Sequence, residues 1–266
     1  FTLDSVTIGT IQTSGESFAD NDTSLMTSDA IDDRINAVGG GASALNDLSD
    51  AKTLDSGQTI GIGTNALAND DGSDNFNTAL GYKAGEDITS GTGGVFVGYE
   101  AGLQATTSNY PVAIGYEAIG TGVMTGTDNI GIGRQAGNDL TSGTYNFFAG
   151  YNAGFNATTA DSNIAIGRQA IGLGVLTGTN NVVLGYQAGY DLTSGDHNIL
   201  SGFQAGANVT TGTGNIFQGN EAGEFATTAS YGIAIGYEAI GTGVMTGNDN
   251  TAIGRVAGHD LTSGTH

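Results

Sequence analysis

The side chains best suited to chemistry stand at one recurring place in the chain. Tyr82, Tyr99, Tyr116, Arg134, Tyr151, Arg168, Tyr186, Phe203, Tyr237 and Arg255 each follow a glycine, and neighbours in this series are one or two intervals of 17–18 residues apart. A fold that stacked these intervals would line the side chains up in a ladder. Tyrosine rings offer flat faces to sugars, and guanidinium groups offer forked donors to the carboxylates of acidic glycans. The plainer use of the same residues is ring-on-ring stacking between adjacent rungs, with arginine neutralising nearby acids. We take Tyr82, Tyr99, Tyr116, Arg134, Tyr151, Arg168, Tyr186, Tyr237 and Arg255 as a candidate glycan-contact ladder.

Other reactive groups do not converge. His197, His259 and His266 are scattered, and the acid pairs Asp32–Asp33 and Asp70–Asp71 read as solvated surface. No catalytic residue, metal ligand set or cofactor is expected. The acids do not recur at one place in the repeat, as a calcium-binding nonapeptide solenoid would require. The Gly-x-Gly pieces lack the lysine or strand context of phosphate-binding loops. A row of threonines (Thr89, Thr141, Thr193, Thr262) brings ice binding to mind, but the adjoining column varies (Ser90, Thr107, Gly126, Thr159, Ser194), so no regular two-dimensional array results.

The elements that must position the ladder follow from the period. Twelve glycines from Gly63 to Gly254 are separated by 17 or 18 residues, and each is followed three residues later by alanine. Eight of the twelve have asparagine four residues earlier, among them Asn129, Asn146, Asn163 and Asn181. Three kinds of turn alternate and together make 52 residues. This explains why "AIGYEAIGTGVMTG" occurs identically at 113–126 and 234–247, two such units and one extra turn apart. Glycine makes up 47 of 266 residues and only 12% are charged, against about 7% and about 25% in average proteins. So short a unit, rich in Gly and β-branched residues, disfavours paired helices. "NIAIG" (163–167) alternates as a strand does. Asparagine before it and glycine after it suit backbone turns. A second short strand is expected around 139–143. The aliphatics Ile164 and Ile166 are assigned to the interior. Phe96, Phe148, Leu200 and Phe217, on the opposite strand face, are then expected to be buried against other copies of the chain.

These features predict an all-β, parallel β-solenoid of about 12 turns of 17–18 residues over 59–266. A leader over 1–58 precedes it, with a short amphipathic helix in "TSDAIDDRINAV" (27–38), capped by Ser28, and a Gly-rich linker at 39–43. A flat two-sided roll fits better than a three-sided hexapeptide helix, because six residues after Ile132 and Ile166 stand Asn138 and Gly172. There are no cysteines, hence no disulfide scaffold. The net charge of −21 argues against nucleic acid as a partner. No run of 18 apolar residues predicts a membrane-spanning helix. The chain starts at Phe1 and stops within a turn, so it reads as part of something longer.

"NIAIGRQA" (163–170), "DNIGIGRQA" (128–136) and "DNTAIGRVA" (249–257) resemble the head repeat of the YadA-type trimeric autotransporter adhesins. The resemblance covers 59–266 and implies a left-handed parallel β-roll assembled as a homotrimer. "NTALGYKAG" (77–85), "DLTSG" and the leader segments "DTSLMTSDAIDDRI" (22–35) and "ALNDLSDAKT" (44–53) are similar to tail-fibre proteins of tailed, marine-type phages. That likeness implies an extracellular virion component: a rigid trimeric rod for host attachment or for spacing a receptor-binding tip. Its implied partners are itself, neighbouring tail proteins and host surface glycan. Thr59, Gly94, Pro111 and Gly232 depart from the bracketing asparagine. A bacterial surface adhesin and a solenoid enzyme acting on polysaccharide are the alternatives.

Overall fold

The computed structural model describes residues 58–73 and 75–264, together with the backbone of the short strands Thr2–Leu3, Val6–Thr7, Thr10–Gln12, Ser24–Met26 and Ala51–Leu54. The expected helix over 27–38 and the linker at 39–43 lie outside the described residues. The chain divides into two compact units, Phe1–Ala51 and Lys52–His266. In the first, Thr2–Leu3 pairs antiparallel with Val6–Thr7, and Thr10–Gln12 pairs parallel with Ser24–Met26.

The second unit is a parallel β-solenoid. It has one short strand per turn, from Thr59–Ile62 through Val95–Val97, Phe147–Ala149 and Ile164–Ile166 to Thr251–Ile253. Twelve such strands lie in sequence order in one sheet, and Ala51–Leu54 stands next to Thr59–Ile62 at its end. Each strand pairs with the next in the same register, as in Ile164↔Val182, Ala165↔Val183 and Ile166↔Leu184. Rungs about 4.8 Å apart therefore carry equivalent residues directly above one another.

The repeating glycine closes each strand. Gly167 has φ +135°, and a Cβ there would lie 2.4 Å from the carbonyl oxygen of Gly185 in the next turn. No L side chain fits that backbone or that gap, which is why the position never varies. The alanine three residues later is buried in turn after turn, Ala136 and Ala170 among them. The residue between, two after the glycine, is left-handed in every turn, as in Glu117 (φ 49°) and Gln169 (φ 57°). No second strand forms around 139–143. That segment is bonded turn to turn instead, Asp139 N–H donating to the Phe155 carbonyl at 3.0 Å and Thr141 N–H to the Thr158 carbonyl at 3.0 Å.

The two strand faces are the reverse of the sequence expectation. Phe96, Phe148, Leu200 and Phe217 are fully buried inside the coil, whereas Ile164, Ile166, Ile199 and Ile253 are exposed. The interior is narrow, and each turn places one or two bulky groups in it, as Phe148 in one and Ile119 with Met124 in another. Phe148 fits because Gly137 and Gly154 face its ring; a Cβ at either would come within 2.9 and 2.6 Å of it. Nine residues after each phenylalanine the buried partner is alanine: Ala105, Ala157 and Ala226. In other turns the volume is shared differently, as Leu200 with Val209, Val183 with Leu192 and Ala79 with Ile88. The 52-residue super-period is thus an alternation of interior volumes, kept near the close packing that a dry interior demands.

The asparagines also differ from expectation. They are buried, and the left-handed backbone falls on the residue before each, such as Tyr145 (φ 59°) or Asn180 (φ 59°). From Asn129 to Asn215 they form a ladder of six. Asn146 donates its N–H and its Nδ2 to Asn129 Oδ1, both at 3.0 Å, and its Nδ2 also donates to the Ala160 carbonyl at 2.6 Å. The pattern repeats through Asn163, Asn181, Asn198 and Asn215. One side chain per rung satisfies several buried groups, and aligned amides reinforce one another.

Candidate functional site

The left-handed turn that follows each strand ends the sheet and throws the next side chain outward. Because the turns are in register, these side chains form a column on the solvent-facing edge. Tyr82, Tyr99 and Tyr116 stack with ring centroids 5.2 and 5.0 Å apart. Arg134 follows with its guanidinium 5.6 Å from the Tyr116 ring and 5.4 Å from the Tyr151 ring. Arg168 lies 5.7 Å from Tyr151 and 5.5 Å from Tyr186, and Tyr186 stacks on Phe203 at 5.3 Å. Asn220 interrupts the column; Tyr237 and Arg255, 5.4 Å apart, resume it. All nine predicted residues are therefore in the ladder, and they are paired face to face.

That pairing determines what the column offers to a ligand. The ring faces are turned to the rungs above and below, so ring edges, hydroxyls and guanidinium N–H edges face water. Each cation–π contact at such a site contributes about 0.5–1 kcal/mol. The glutamate after a tyrosine engages its hydroxyl: Glu100 holds the Tyr99 phenol above its usual pKa, and Glu117 and Glu238 do the same to Tyr116 and Tyr237.

The column beside the ladder, made of the left-handed residues, changes chemistry along the solenoid. It reads Glu100 and Glu117, then Gln135, Asn152, Gln169, Gln187 and Gln204, then Glu221 and Glu238. Gln135 Nε2 donates to Glu117 Oε2 at 2.7 Å and Gln204 Nε2 to Gln187 Oε1 at 3.2 Å. Asn152 is too short to continue the chain of amides. Its Oδ1 is the one buried side-chain polar atom without a hydrogen-bond partner among the described residues.

Sequence reasoning missed a second exposed aromatic column: Phe76, Tyr110, Tyr145 and Tyr231, each five residues before the repeating glycine. Tyr110 covers Gly93 and Tyr231 covers Gly214, where a Cβ would come within 2.6 and 2.8 Å of the ring. The constant offset from the glycine was a usable signal.

The remaining candidates stay apart from the ladder. His197 is exposed in a turn, and His266 and Asp32–Asp33 lie outside the described residues. His259 Nδ1 is 3.1 Å from Asp260 and its Nε2 is 3.6 Å from Glu238. Asp70 and Asp71 brace their own turn by accepting from Gly72 and Ser73 N–H groups. The Thr89, Thr141, Thr193 and Thr210 hydroxyls donate to carbonyls one turn on, at 2.9–3.1 Å. Among the described residues no group of three His, Cys, Asp or Glu side chains could hold a metal ion, and no helix is long and apolar enough to cross a membrane.

Comparison with protein-family models, curated proteins and solved structures gives no match to this chain.

Proposed function

We propose that this chain is a structural segment of a phage tail fibre: a homotrimeric rod that spaces a receptor-binding tip or touches host glycan, with contact rather than turnover as its activity. The observation that carries the reading is the outer face of the sheet. It bears two largely apolar rows, one through Val112, Ile130, Phe147 and Ile164 and the other through Ile114, Ile132, Ala149 and Ile166, exposed or half-buried in the isolated chain; Ser201 and Gln218 interrupt the second. A long apolar strip of this kind is characteristic of surfaces that meet another protein. Three copies packing these strips together would cover them and give a stiff rod. The repeat likeness to trimeric adhesin heads and phage fibres supports the same arrangement. The net charge of −21 keeps such a rod soluble and apart from other rods.

Light scattering of residues 1–266 tests the assembly and is expected to return three times 26.6 kDa. A folded monomer at micromolar concentration would refute the trimer. Incubating the rod with host polysaccharides and analysing the products tests the contact role; depolymerised sugar would favour an enzyme instead.

A further inference from the structure

The ladder is not uniform, and its middle is built differently from its ends. The repeat contains four cationic residues, Lys83, Arg134, Arg168 and Arg255, in a chain that carries 27 acids. Lys83 pairs with Glu86 at 2.9 Å, and the only other ion pairs among the described residues involve His259. The arginines are thus held by rings rather than by carboxylates. Arg134 and Arg168 are the two guanidiniums with an aromatic ring on both faces, and they share Tyr151 between them. Both residues are exposed, so with rings on either side each guanidinium has its N–H edge to offer a ligand. Along this stretch the adjoining column is amide, from Gln135 to Gln204, whereas glutamates flank it on both sides. Neither arginine is ion-paired among the described residues, and the carboxylate one rung from Arg134, that of Glu117, is engaged by Gln135 and Tyr116 instead.

We infer that Arg134 and Arg168 form a binding site for an acidic polysaccharide of the polyuronate kind, the two forks taking the carboxylates of alternate sugars. The inference rests on the contact role proposed above and specifies its ligand. The two guanidiniums are two rungs apart, about 10 Å at the spacing of parallel strands. An extended chain whose alternate carboxylates fall at that interval can meet both forks at once, each by a bidentate, charge-assisted pair. Gln135, Gln169 and Gln187 supply neutral donors and acceptors for the hydroxyls between the charges. Polynucleotides fit less well. Duplex DNA carries a charge about every 1.7 Å of its axis, and the acids elsewhere on this surface repel so dense a polyanion. Since the ring faces are occupied, recognition goes through guanidinium edges and not through sugar–ring stacking.

The experiment is native gel electrophoresis of residues 1–266 through gels containing polygalacturonate, neutral dextran or single-stranded DNA. Retardation is expected in polygalacturonate alone and should weaken with added salt. Arg134→Gln with Arg168→Gln should weaken it about tenfold or more, while Lys83→Gln, which removes a charge already paired with Glu86, should not change it. Arg134→Lys with Arg168→Lys keeps the charge but removes the fork, and should give an intermediate loss. This pair also serves if the glutamine pair proves unstable by circular dichroism. No retardation in polygalacturonate, equal retardation in dextran, stronger retardation in DNA, or retention by the double variants would overturn the inference. The same samples go to light scattering. A trimer that is not retarded refutes this site alone, whereas a retarded monomer refutes the assembly alone.

Discussion

Asn129 Oδ1 accepts two hydrogen bonds from one residue, Asn146, through its backbone N–H and its side-chain Nδ2, each at 3.0 Å. The geometry recurs up the ladder, so each asparagine from Asn146 to Asn215 is at once acceptor for the rung on one side and donor to the rung on the other.

Asn163 sits in mid-ladder, and its removal strands several groups together. Asn163→Ala leaves the Asn181 N–H, one of the two Asn181 Nδ2 hydrogens and the Gly178 carbonyl without partners, the other Nδ2 hydrogen keeping its bond to the Gly195 carbonyl. Each buried unsatisfied group costs about 1–3 kcal/mol, so we expect a loss of about 3 kcal/mol or more in urea unfolding. Asn156→Ala removes a single exposed bond to the Leu173 carbonyl and should cost under about 1 kcal/mol. Equal midpoints for the two variants would refute the ladder as a stabilising element.

The inside–outside assignment yields opposite phenotypes for neighbouring strand positions. Phe148→Ala opens a cavity in the coil and should lower stability by about 3–5 kcal/mol. Ile164→Ser and Ile166→Ser, on the outer face, should leave the circular dichroism spectrum of the coil intact but reduce the mass seen by light scattering. If the serine variants unfold the chain while Phe148→Ala is silent, the faces have been exchanged.

Volume sharing within a turn predicts a rescue. Phe148→Leu alone underfills its turn and should cost about 1 kcal/mol. Adding Ala157→Val recreates the Leu200–Val209 combination and should recover about half of that loss, a coupling of the size seen for residues that share a packing space. Strict additivity in a double-mutant cycle would show that the two positions do not share space.

Asn152→Gln should stabilise the protein. Glutamine reaches one methylene further and joins Gln135 to Gln169, satisfying an orphan carbonyl and continuing the column of amides. The expected gain is about 0.5–1.5 kcal/mol, measured as a rise in thermal midpoint. A fall would mean that the backbone at φ 55° prefers asparagine by more than the bond contributes.

Tyrosine titration reports the Tyr–Glu pairs. Tyr116 loses its proton above the usual range because Glu117 accepts from its hydroxyl. Its folded value is raised, so its contribution to stability is complete below about pH 10, the unfolded value, and fades as pH rises through the folded one. Glu117→Gln should move the Tyr116 tyrosinate absorbance step to lower pH. An unmoved step would assign the shift to the neighbouring rings.

The period, the closing glycine, the tight alanine and the parallel solenoid were all legible in the sequence, because each is a backbone requirement that recurs at fixed spacing. Which strand face lies inside was not. Alternation separates Ile164 from Ala165 but does not orient them, and isoleucines that look like a core are here the outer surface. The deciding clue was a compensation at nine residues, Phe148 with Ala157 and Leu200 with Val209. It is visible only once both are known to point into one narrow space. The asparagines were misread because their tolerance of left-handed backbone is a property of single residues, whereas a ladder is a property of the stack. The ladder residues Tyr82 to Arg255 were found by position alone, and the amide stretch beside Arg134 and Arg168 gained meaning only once the columns were side by side.

A coil that balances its volume within each turn and repeats its hydrogen bonds from rung to rung has no preferred number of turns. Adding or deleting 17 residues leaves every remaining rung with the neighbour it needs, as the extra turn near Gly202 illustrates. The identical stretches at 113–126 and 234–247 are seven turns apart. Recombination between them would shorten or lengthen the chain by about 34 Å in one event. Reach is therefore a heritable dimension that can be reset in whole steps, with no new core to evolve.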